Sequence, residues 1–146
     1  MLCGTYRHTM DPKKRLFIPA KLREELGETL VLVKSVDHCI NIYSLSEWEK
    51  VRVKLDELPV TSGRKVRRFL LSSVEEAPTD TQGRVLIPAH LAEYAQLGFQ
   101  DDAHPDFSRD AVIIGAGKYL EIWNADLWDS LNSDEGMAQA MEELGI

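Results

Sequence analysis

Two carboxylate and guanidinium pairs stand at the same spacing in this sequence, Asp11 with Arg15 and Asp80 with Arg84. An Asp at the head of a turn accepts backbone N–H groups two or three residues on, and it can also pair with an Arg four positions later. Such a pair aims the guanidinium. An aimed Arg can fork onto a phosphate, or onto the O6/N7 edge of guanine in the major groove. Lys13, Lys14 and Lys21 beside Arg15, with Arg7 upstream, add nondirectional attraction for phosphates. The plainer alternative is that both pairs only staple their turns and the lysines form a solvated face.

Catalytic chemistry is not legible. The histidines at positions 8, 38, 90 and 104 have no i, i+4 pairing and no carboxylate at a metalloprotease spacing. No Gly-x-Gly-x-x-Gly, phosphate-loop or Gly-x-Ser-x-Gly pattern occurs. His8 and His90 read as turn or helix-surface residues. Cys3 and Cys39 lack the spacing of metal ligands and read as free or buried thiols. The sequence therefore predicts no enzyme, no catalytic residue, no metal site, no cofactor and no small-molecule substrate.

The elements that must position these pairs are written twice. Asp11 to Leu22 recurs 69 residues later as Asp80 to Leu91, each copy running from Asp through turn residues and Arg to Ile-Pro-Ala. Ile40 to Trp48 matches Leu120 to Trp128 at an offset of 80, and the shift of 11 residues falls between Leu91 and Leu120. The Asp-, Gly- and Pro-containing stretch 98–110 is the natural insertion, a surface loop. Halves of about 70 residues are marginal alone, so two halves sharing one core are expected.

In each copy a short apolar strand, Leu16 to Ile18 or Val85 to Ile87, ends at a Pro suited to the first turn of a helix. Helices follow over Ala20 to Leu26 and Ala89 to Leu97. Strands are then expected over Thr29 to Ser35, Cys39 to Tyr43, Ala111 to Gly115 and Tyr119 to Trp123, with hairpin turns at 36–38 and 116–118. Ser46, and Asn124 or Asp126, are candidate caps for a helix closing each copy. Trp48, Val51 and Leu55 form one apolar stripe. Arg64 to Leu71 reads as a connecting basic helix with Val66, Phe69 and Leu70 inward and four cations outward. Phe17, Leu70, Trp48 and Trp128 read as core.

The fold class is thus mainly β with short helices, α+β. The organisation is a first repeat over 5–50, connecting helices over 51–75, a second repeat over 76–130, and an acidic C-terminal helix or tail over 131–146. The 44% apolar and 28% charged composition is that of a globular chain. No stretch has the length of a membrane span and no apolar signal segment is present, so a cytoplasmic location is expected. Net charge is −7, but residues 1–25 carry a balance of +3 and residues 60–90 one of +2, against −10 in residues 91–146. A local patch governs docking within a Debye length of about 8 Å.

The segments Met1 to Tyr6, Asp11 to Ala20, Tyr43 to Trp48, Arg67 to Leu70 and Asp80 to Pro88 resemble the MraZ family of bacterial transcriptional regulators, over roughly residues 1–131. The resemblance implies two AbrB-like swapped-hairpin units, a duplicated double-psi-like β-barrel, and association into a homo-oligomeric ring. It implies a nucleoid-associated repressor binding tandem repeats in double-stranded DNA upstream of the division and cell-wall gene cluster and of its own gene. Carried across residue by residue, the family's Asp-x-x-x-Arg falls on Asp11 with Arg15 and on Asp80 with Arg84; beside these two arginines, Lys13, Lys14, Arg7, Lys21 and Gln82 are expected to contact DNA, with Asp11, Asp80 and Gly83 orienting the turns. An antitoxin-type interaction module, or a noncatalytic ring-forming assembly protein, are the alternatives.

Lys14 stands where the second turn has Gly83, so the first turn either avoids positive φ or accepts strain of about 1 kcal/mol. The turn holding Thr81 and Gln82 is less basic, which predicts a larger contribution from Arg15 than from Arg84.

Overall fold

The computed structural model describes residues 1–131 and 133–146; Asn132, within the expected C-terminal tail, lies outside the described residues. Strands β1 (Thr5–Thr9) and β2 (Arg15–Phe17) flank the first Asp-headed turn. Helix α1 (Ala20–Leu26), the hairpin β3 (Thr29–Lys34) and β4 (Ile40–Ser44), and helices α2 (Leu45–Asp56) and α3 (Arg64–Leu71) follow. The second copy runs β5 (Glu75–Pro78), β6 (Arg84–Leu86), α4 (Ala89–Tyr94), β7 (Asp110–Gly115), β8 (Leu120–Asn124) and α5 (Ala125–Leu131), and α6 (Met137–Glu143) closes the chain. This is a mixed α+β fold of short elements.

Among the described residues all six pairings of the named strands are antiparallel, and the pairing interleaves the copies. One six-stranded sheet has the order β1-β7-β8-β4-β3-β5, while β2 and β6 form a separate two-stranded ribbon. The first strand of each copy pairs with the third strand of the other, β1 with β7 and β5 with β3. In the ribbon Leu16 faces Val85, and at the sheet centre Asn41 faces Glu121. Both are pairs of repeat-equivalent residues. One pseudo-twofold axis therefore passes through ribbon and sheet, and neither copy can complete its sheet without the other.

Alternation explains the three apolar clusters. On β3, Leu30 and Leu32 face the main core with Leu16, Ile18, Val85, Ile87 and the inner residues of α1 and α4. The opposite residues, Val31 and Val33, pack under α2 and α3 against Trp48, Leu55 and Leu70. On β7 and β8, Val112 and Trp123 pack beneath α5 with Ala125, Leu127 and Trp128. A strand covered on both faces reads as a continuous apolar run, as Thr29–Lys34 does. Gly115 has a packing reason, because a Cβ there would lie 2.2 Å from the backbone N of Cys3.

Several local expectations are corrected. The cap of α2 is Ser44, whose Oγ accepts the Glu47 N–H at 3.2 Å, and not Ser46, because β4 runs directly into the helix. For α5 the cap is the first of the two expected candidates, Asn124, whose Oδ1 accepts from the N–H groups of Asp126 and Leu127. Helix α4 stops at Tyr94 instead of Leu97, as Gln96 takes φ +57° and sends Leu97 into a bridge with Ser108. In α3, Val66 is exposed, while Arg67 turns inward and donates to the carbonyls of Leu55, Leu58, Pro59 and Val60. It satisfies acceptors at the end of α2, which no helix-wheel reading of 64–71 shows. The acidic terminal segment forms α6, with every side chain exposed.

Candidate nucleic-acid interface

The two signature turns are built alike. In the first, the Asp11 Oδ1 accepts the N–H groups of Lys13 and Arg15, both at 2.9 Å, and Oδ2 accepts the Arg15 Nε–H at 2.6 Å. In the second, Asp80 Oδ1 accepts from Gln82 and Arg84 at 2.9 Å, and Oδ2 accepts the Arg84 Nε–H at 2.9 Å. Each acid holds its turn and its Arg together. The main chains close reciprocally, Asp11 N–H to the Arg15 carbonyl and Asp80 N–H to the Arg84 carbonyl.

The fourth turn residue takes positive φ in both copies, +62° at Lys14 and +81° at Gly83. The first turn therefore accepts the strain. Tertiary bonds over-determine that conformation, since the Lys14 carbonyl accepts the Ile87 N–H at 2.9 Å and the Gly83 carbonyl accepts the Ile18 N–H at 3.0 Å. Each turn is pinned by the strand end of the opposite repeat.

The ribbon decides which side chains share a surface. Leu16 and Val85 point inward and are fully buried, so Arg15, Phe17, Arg84 and Leu86 occupy the outer face. Arg15 lies opposite Leu86, and Phe17 opposite Arg84. The guanidinium-bearing residues thus sit on one diagonal, about 7–8 Å apart at the backbone, and the apolar ones on the other. Phe17 is therefore not a core residue. It lies edge-on to His8 with ring centroids 5.2 Å apart. Leu86 is 57% exposed. Sequence reasoning took Phe17 for core and passed over Leu86, although strict alternation from Arg15 was enough to place both on the outer face.

Asp11 and Asp80 are ionised anchors. Burial alone pushes the Asp11 carboxyl up, but the N–H of Arg15, its guanidinium and the N–H of Lys13 together hold it below its ordinary value. The N–H of Arg84 is the main cause holding Asp80 low, assisted by the Arg84 guanidinium and the Gln82 N–H. Arg84 also reaches across the axis, with Nη1 at 3.6 Å from the Asp11 Oδ2.

Lys13, Lys14 and Gln82 are exposed on these turns, and Lys21 is exposed on α1. Arg7 is placed elsewhere. It pairs with Val112 on the face covered by α5, opposite the face toward the ribbon, and its Nη2 donates to Asp129 at 2.5 Å. The structure does not bring it to the turns.

The insertion 98–110 lies against α5, where Gln96, Asp106, Arg109, Asn124, Asp126 and Ser130 help to line an open cavity of about 780 Å³. The buried Asn124 donates through Nδ2 to the carbonyls of Gln96 and Asp106 while its oxygen caps α5. Among the described residues no cluster of three or more His, Cys, Asp or Glu side chains is placed to hold a metal ion. No helix among them is long and apolar enough to cross a membrane.

Two interleaved copies of a strand, Asp-headed turn, strand and helix, sharing one ribbon that displays two aimed arginines, define a tandem swapped-repeat protein. The chain belongs to the MraZ family, whose profile, described as "MraZ protein, putative antitoxin-like", matches residues 1–69 and again 70–143. It is similar to a protein of Thermoanaerobacter sp. (strain X514), 42% identical with all of both chains covered. It is also similar to one of Heliobacterium modesticaldum, 43% identical over 99% of this chain and 94% of that one. A third, from Caldanaerobacter subterraneus subsp. tengcongensis, is 41% identical over 99% and 96%. All three bear the name Transcriptional regulator MraZ.

Proposed function

We propose that this chain is a sequence-specific, double-stranded DNA-binding transcriptional regulator, acting in the cytoplasm at the nucleoid as a repressor of the division and cell-wall gene cluster and of its own promoter. The observation carrying this reading is the diagonal pair Arg15 and Arg84 on the outer ribbon face, each oriented by its own Asp. Oriented guanidiniums can address guanine edges, and Lys13, Lys14 and Lys21 attract the flanking phosphates. Leu86 and Phe17, on the opposite diagonal, suit apolar contact with thymine methyl groups. Gln82 adds an amide at the second turn.

A single ribbon addresses few base pairs. Association of several AbrB-like, barrel-forming protomers into a ring would present the ribbons at fixed spacing, so that tandem operator repeats are bound with each later contact at high effective concentration. Titration of DNA from upstream of the protein's own gene tests the reading. Tight, strongly salt-dependent binding that weakens as repeats are deleted is expected, and binding no tighter than to unrelated duplex would sink it.

One observation favours a second reading, an antitoxin-type interaction module. Helix α6 is acidic, and it and its C-cap leave Met137, Met141 and Leu144 exposed. Copurification of a stoichiometric protein partner that disappears when residues 133–146 are removed would support it.

A further inference from the structure

The two turns look unequal in sequence, because Lys14 charges the first and Gly83 leaves its counterpart bare. The space at Gly83 is occupied, however. A Cβ built there would meet the guanidinium of Arg23, at 2.6 Å from Cζ, 2.7 Å from Nε and 2.9 Å from Nη2. Arg23 comes from α1 of the other repeat. Its Nε donates to the Ile18 carbonyl at 2.7 Å, and its Cζ lies 5.7 Å from the centre of the Phe17 ring. The same Ile18 donates its N–H to the Gly83 carbonyl. Among the described residues no carboxylate lies within ion-pair distance of Arg23.

We propose that Arg23 is the second cation of the Asp80 to Arg84 turn and binds a DNA phosphate there, as Lys14 does at the first turn. This inference rests on the DNA-binding reading above. Its support is steric and reciprocal. The guanidinium stands where a side chain at position 83 would begin, and Gly83 is buried while Lys14 is exposed. Position 92, the repeat equivalent of Arg23, is a buried Ala. Where the helix carries Arg, the turn carries Gly; where the helix carries Ala, the turn carries Lys. The fourth position of each turn is thereby associated with a cation, supplied by the turn itself in the first copy and by the helix of the other repeat in the second. With Nε committed to Ile18 and the planar group held against the Gly83 backbone, both terminal nitrogens keep their donors for a ligand.

The test uses the full chain and duplex DNA from upstream of its own gene, titrated over a series of salt concentrations. Arg23→Gln should bind roughly tenfold more weakly. The slope of log affinity against log salt should fall in magnitude by about 0.9 for each phosphate that is no longer neutralised. The double variant Arg23→Ala with Gly83→Lys, which reproduces the Ala92 and Lys14 arrangement, should recover the wild-type slope. An unchanged slope in a folded Arg23→Gln protein, or a double variant that fails to recover it, overturns the assignment. Thermal unfolding establishes folding, and should the Gln variant not fold, the double variant decides. Wild-type protein that does not bind this DNA would instead overturn the DNA-binding reading itself.

Discussion

Arg84 touches the acid of both turns, Asp80 through Nε at 2.9 Å and Asp11 through Nη1 at 3.6 Å, whereas Arg15 pairs with Asp11 alone among the described residues. Asp11 therefore serves two guanidiniums and Asp80 one. Asp11→Ala is expected to weaken DNA binding more than Asp80→Ala, by roughly fivefold or more between the two. Equal losses in a side-by-side titration at one salt concentration would show that the cross-axis pairing carries nothing.

Acid should loosen both turns. The carboxyls of Asp11 and Asp80 lie below their ordinary value of 3.8 in the folded chain. A lowered folded value stabilises fully above the ordinary value and loses that contribution as pH falls through the folded one. The melting temperature should thus be insensitive to these two groups near neutrality and decline below about pH 4. The Asp11→Asn, Asp80→Asn pair of changes should lower the plateau and flatten part of that decline, measured by thermal unfolding from pH 2 to 7.

Lys14 is held at φ +62°, where a side chain crowds the backbone. Lys14→Gly should relieve strain and stabilise the fold by about 1 kcal/mol in urea unfolding. The same change should reduce the salt dependence of DNA binding, because it removes a cation. A drop in stability would mean that the Lys14 side chain makes an interaction outweighing the strain.

Asn124 is the residue on which the insertion and α5 both depend. It is 1% exposed, accepts two N–H groups at the helix start and donates to two loop carbonyls. Asn124→Ala removes a cap and strands two acceptors, for an expected cost of about 2 to 4 kcal/mol. Proteolysis should then cut first within 98–110.

The two thiols should differ sharply. Cys3 is exposed, whereas burial pushes the Cys39 thiol up to about 12. Iodoacetamide at pH 8 is expected to modify Cys3 quickly and Cys39 only at the rate of global unfolding, as mass spectrometry of timed samples would show.

Much of this arrangement was legible in the residues. The doubled Asp-x-x-x-Arg spacing identified both turns and the partner of each Arg, because those bonds span only four residues. Pro19 and Gly27 bracket the first helix at Ala20–Leu26 through local backbone preferences. The offset of 69 at the turns and 80 at the closing strands placed the insertion. Membership of one fold written twice was likewise a property of the sequence alone.

What the tertiary structure decided is which of these local pieces meet. Strand exchange brings Arg15 and Arg84 onto one ribbon, turns Phe17 outward and sends Arg7 to Asp129 on the far face. The same exchange lays Arg23 of one copy over Gly83 of the other. Arg67 leaves the basic face of α3 for carbonyls at the end of α2. Each of these interactions joins residues distant in the chain, so it depends on strand register and helix placement, which local spacing and charge do not encode. The sequence determined two turns capable of aiming an arginine, and the shared core made them one surface.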